Sequence, residues 1–69
     1  MLMLWYSDDA KPLTERISMA ADYYRSKYGR SPSLCLVPTE EGPIPTSVGG
    51  ISLEARADVL PCHLQIGGE

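Results

Sequence analysis

Sixty-nine residues, 43% hydrophobic and 22% charged, make one small domain and exclude a disordered chain. The formal charge of −3 argues against nucleic acid as a partner. Two cysteines, Cys35 and Cys62, are too few for a disulfide framework, so both are expected as free thiols in the cytoplasm.

The opening "MLMLWY" is apolar, short and uninterrupted, which predicts a strand. It lacks a basic start and falls far short of the ~20 residues of a bilayer span, so neither a signal peptide nor a membrane partner is expected. Leu2, Leu4 and Tyr6 share one face; Met1, Met3 and Trp5 share the other.

Residues 8–29, "DDAKPLTERISMAADYYRSKYG", predict a helix. Asp8 or Asp9 can cap it, and Pro12 suits the first turn. Leu13, Ile17, Ala20, Ala21, Tyr24 and Tyr28 form a stripe at helical spacing. Arg16, Arg25 and Lys27 lie mainly off it, as a solvated face. Gly29 supplies a left-handed stop. Residues 11–30 carry a net +3 and the remainder −6. The string "YYRSKYGRS" leaves Tyr23, Arg25, Lys27 and Arg30 as a basic docking patch, a weak platform for stacked bases on an acidic protein.

"SLCLVP" predicts the second strand, with Leu34 and Leu36 on one face and Cys35 and Val37 on the other. Residues 39–50 are rich in proline and glycine and are expected to be an irregular loop. "ISLEA" alternates as a half-exposed strand. "LPCHLQI" predicts the last strand, with Leu60, Cys62, Leu64 and Ile66 buried and His63 and Gln65 outward.

The order β-α-β-β-β predicts a small α+β domain over residues 1–69, a mixed sheet with one helix on one face. The helical crossover makes the first two strands parallel. The last two are expected to form an antiparallel hairpin. One helix covers one face, yet the first two strands are apolar on both. The uncovered face is therefore expected to carry Met1, Met3, Trp5, Cys35 and Val37, or their opposite numbers, as an association surface. A symmetric dimer is the simplest outcome.

Cys62 and His63 are the only candidate nucleophile and base. Adjacent positions on a regular strand point to opposite faces and keep the two groups apart. Cys35, Cys62 and His63 lack the paired spacing of a zinc site. Glu40-Glu41 and Asp8-Asp9 are carboxylate pairs without a catalytic context. No phosphate-binding loop is present, and no cofactor or metal is expected. The leading expectation is a non-catalytic, self-associating protein that binds a protein partner or a small ligand. An enzyme or redox protein using Cys62 and His63 is the alternative. Nucleic-acid binding through the basic end of the helix is a further one.

Overall fold

The computed structural model describes residues 2–6 and 11–68. In chain order the elements are β1 (Leu2–Tyr6), α1 (Leu13–Tyr28), β2 (Leu34–Pro38), a 3-10 turn (Thr39–Glu41), β3 (Ser47–Val48), β4 (Ile51–Arg56) and β5 (His63–Gly67). The fold is the expected small α+β one. Its five strands form one mixed sheet in the order β1-β5-β2-β4-β3.

The helix begins at Leu13, with Pro12 at its N-cap. The Pro12 carbonyl accepts from the amides of Glu15 and Arg16. The capping expected of Asp8 or Asp9 lies outside the described residues. At the other end Gly29 takes φ 73° and its amide donates to the Arg25 carbonyl at 2.9 Å. A side chain would strain that left-handed turn, so glycine ends the helix.

Of the two expectations about the strands, the parallel direction of the first two holds and the hairpin of the last two is corrected. β5 lies between β1 and β2 and runs antiparallel to both, so β1 and β2 share a direction without touching. The hairpin of the last two strands does not form. β4 instead pairs parallel with β2, on the side away from β5. The link from β4 to β5 therefore passes the end of β2. Two strand spacings come to about 10 Å, which six residues span easily. Val59 anchors this link by burying its side chain.

Residues 39–50 are also more ordered than expected. Thr39–Glu41 make a 3-10 turn, and Ser47–Val48 pair antiparallel with Ile51–Ser52. Gly49 and Gly50, at φ 55° and 82°, form the two-residue turn of this hairpin. Two consecutive positive φ values match the twist of antiparallel strands, and glycine adopts them at little cost.

The registers decide which face the helix covers. Met3, Ile66, Cys35 and Leu53 align across the sheet. Met3, Cys35, Val37, Ile51, Leu64 and Ile66 form the core with Ile17, Ala20, Ala21 and Tyr24 of the helix. The short side chains of Ala20 and Ala21 let the helix lie close to β5. Trp5 packs against the core from one side. Met3, Trp5, Cys35 and Val37 are thus core residues, and Met1 lies outside the described residues. The other face carries their opposite numbers, aligned as Leu4, Gln65, Leu36 and Glu54, with Leu2 and Leu34 in the next row; it is open at β1, whereas Leu36 at its centre is buried.

Candidate functional site

Two places bring together side chains of possible consequence. The first is the end of the sheet where β2 stops at Pro38 and the β4–β5 link passes over. Arg16, Pro38, Glu40, Glu41, Pro61 and Cys62 line a cleft there of about 340 Å³. Arg16 is 5% exposed, although its charge predicted a solvated position. Its guanidinium donates two hydrogen bonds to the Glu41 carboxylate, each 2.8 Å, and a third from Nε to the Lys11 carbonyl at 2.9 Å. The 3-10 turn after β2 brings Glu41 to this position. The bonds from Arg16 hold the Glu41 carboxyl below its ordinary range; burial opposes this, and the arginine charge reinforces it.

Cys62 is not the core residue its place in the sequence predicts. β5 begins only at His63, and Cys62 precedes it in a turn at φ 62°. Pro61 cannot donate to a ladder, which keeps the strand from starting earlier. Cys62 is half-buried and Leu60 is exposed, while Leu64 and Ile66 are buried as expected. The other thiol, Cys35, is the one inside the core, and burial pushes its pKa up to about 12.

His63 sits on the other side of the sheet. Its partner across the ladder is Tyr6, whose ring meets the imidazole edge-on at 5.3 Å. His63 Nδ1 lies 2.8 Å from the Pro61 carbonyl oxygen, to which it donates when protonated. Tyr6 and His63 belong to the open face, whereas Arg16 projects from the helix side. The cleft therefore holds a thiol beside a closed Arg16–Glu41 pair, with the imidazole turned to the opposite face. Among the described residues, no hydrogen bond joins the Cys62 thiol to a base. Among the described residues, no three His, Cys, Asp or Glu side chains are grouped to hold a metal.

The second place is the outer edge of β1. Among the described residues, seven large hydrophobic side chains are exposed: Leu2, Leu4, Tyr6, Met19, Tyr23, Tyr28 and Leu60. Leu4 and Tyr6 are the extreme cases on β1, at 63% and 69%. Tyr23 of the helix packs on Trp5, with ring centroids 5.1 Å apart. Met19 lies one helical turn earlier on the same side. Three of the seven, Leu2, Leu4 and Tyr6, thus lie on the open face of β1, while Tyr23 and Met19 belong to the helix on the other face. Sequence alternation identified both apolar faces of β1, but could not show that β1 is an edge.

The four residues of the basic patch are all exposed. Tyr23 belongs with Trp5, Arg25 pairs with Asp22 at 3.5 Å, and Lys27 lies 5.5 Å from the centre of the Tyr28 ring. Tyr28, expected on the buried stripe, is exposed near the helix end, where its ring rests on Tyr24 at 4.7 Å. Arg30 lies just beyond the helix.

Compared with known protein families, with curated proteins and with solved structures, the chain matches none of them. No helix among the described residues is long and apolar enough to cross a membrane.

Proposed function

We propose that this protein acts without catalysis: it self-associates as a symmetric dimer and, in that form, offers a surface to a protein partner or small ligand. One observation carries the reading. Three of the seven exposed large hydrophobic side chains, Leu2, Leu4 and Tyr6, share the open face of β1. Contiguous apolar surface of this kind costs free energy in water and marks an interaction site. A domain this small also has a thin margin of stability, and association adds buried area that its own core lacks. The two unbridged thiols suit a reducing, cytoplasmic setting.

Sedimentation over a range of micromolar concentrations tests this. The expected result is a reversible monomer–dimer equilibrium. A monomer at every concentration would remove the reading.

A further inference from the structure

We propose that two copies pair antiparallel through the outer edge of β1, so that the sheet continues across a twofold axis beside Leu4. This rests on the self-association proposed above and adds the strand and the register.

An edge strand presents a row of backbone donors and acceptors on its outer side. The two edges of this sheet differ in how far they are protected. β3 is an edge of only two residues. β1 has five residues, Leu2–Tyr6, with no proline and no charged side chain. Short strands, charges and prolines are the usual means of keeping an edge unpaired, and β1 has none of them.

The sequence of β1 suits a second copy of itself. Full antiparallel overlap of five residues is reached only when the third, Leu4, faces its own counterpart. Leu2 then faces Tyr6 and Met3 faces Trp5, each on the face it already occupies. Every pair is apolar. No like charges meet, although the chain carries −3 overall. The exposed side chains would then be shared between copies: Leu2, Leu4 and Tyr6 on the open face, Met19 and Tyr23 beside the helix.

The exposed side chains set an upper bound on the area of the contact. Aromatic side chains carry roughly 150–250 Å² each, so the exposed parts of Tyr6 and Tyr23, with Leu2, Leu4 and Met19, amount to on the order of 500 Å² per copy. Complete burial on two copies would reach about 1,000 Å², the floor for a specific interface, and edge pairing covers only the flanks of these side chains, so the contact is a weak one.

The test uses the whole chain with Cys62→Ser, so that only a new thiol is accessible. Directly opposed residues of an antiparallel pair lie within disulfide reach. Leu4→Cys should therefore link into a covalent dimer under mild oxidation. Gln65→Cys reports the competing arrangement, in which two open faces stack. Under edge pairing its two copies lie three strand spacings apart, about 14 Å, and should not link. Leu4→Lys, at an exposed position, should weaken the dimer at least tenfold in sedimentation. Ser47→Lys on the opposite edge should leave it unchanged. Linkage through Gln65→Cys instead of Leu4→Cys, or a dimer unaffected by Leu4→Lys, would overturn edge pairing but not self-association. A monomeric wild-type protein would overturn both.

Discussion

Arg16 and Glu41 close a bidentate ion pair between the first turn of the helix and the turn after β2, with both contacts at 2.8 Å. The pair fastens two elements that share no ladder. Its side chains retain only 6% and 17% of their surface. Removing one partner leaves the other charge buried without compensation. Arg16→Met or Glu41→Gln alone should cost about 3 kcal/mol, the lower end for a buried pair. The double variant Arg16→Met/Glu41→Gln should be less destabilised than the two single effects combined. Denaturant melts of the four proteins measure this as a double-mutant cycle.

The same pair sets a response to acid. Glu41 has a depressed pKa in the folded state, so its contribution is present above the ordinary carboxyl value of 4.5. It is lost as pH falls from there through the folded value. Thermal melts should therefore show a loss of stability below about pH 4.5 that is reduced in Glu41→Gln.

Cys35 sets a response to alkali of opposite sign. Its folded thiol is raised from 9.0 to about 12 by burial. The unfolded chain ionises first as pH rises. The contribution is therefore complete below pH 9.0 and is lost between pH 9.0 and about 12. The slope from this group is about 1.4 kcal/mol per pH unit. The measurement is the difference in slope between wild type and Cys35→Ala.

The two thiols should separate by reactivity. Cys62 lines an open cleft, whereas Cys35 is fully buried. A thiol reagent at neutral pH should modify one cysteine in the native protein and the second only in denaturant. Cys62→Ser should abolish the first phase. His63→Ala should leave its rate unchanged, because the imidazole faces Tyr6 on the other side of the sheet. A rate that collapsed in His63→Ala would instead make the pair functional.

Tyr24 and Arg25 test the facing of the helix. Tyr24 is buried in the core, while Arg25 is exposed beside Asp22. Tyr24→Ala should cost on the order of 3–5 kcal/mol, as other large aromatic truncations do. Arg25→Ala should stay within about ±0.5 kcal/mol. Urea melts of the two variants compare them directly.

Local signals were legible in the sequence where local forces decide the structure. Helical spacing located Ile17, Ala20, Ala21 and Tyr24, and Gly29 marked the helix end. Alternation located the faces of β1, β2 and β4. Strand order was not legible, because β5 can pair with β4 or insert between β1 and β2 with equally apolar partners and only the whole packing chooses. β3 was missed because two residues give no period to read. Arg16 was read as solvated from its charge. Yet it stands four residues before Ala20 and eight before Tyr24, in the same column of the helix. That column, with Glu41 among the few acids near the end of an apolar strand, was the available signal for the ion pair. The cleft itself depends on the β4–β5 link passing over Pro38, which no local pattern encodes.

The position of β5 also governs the time course of folding. β1 and α1 come first in the chain, but the strand that seats them both, His63–Gly67, follows every other described strand. During synthesis β2, β3 and β4 can pair among themselves while β1 waits with its apolar residues unprotected. Such distant pairing must overcome loop-closure entropy before any contact rewards it, which makes folding slow for a chain of this length. The same five residues that present an edge in the native state are therefore the segment most exposed to wrong pairing before that state is reached.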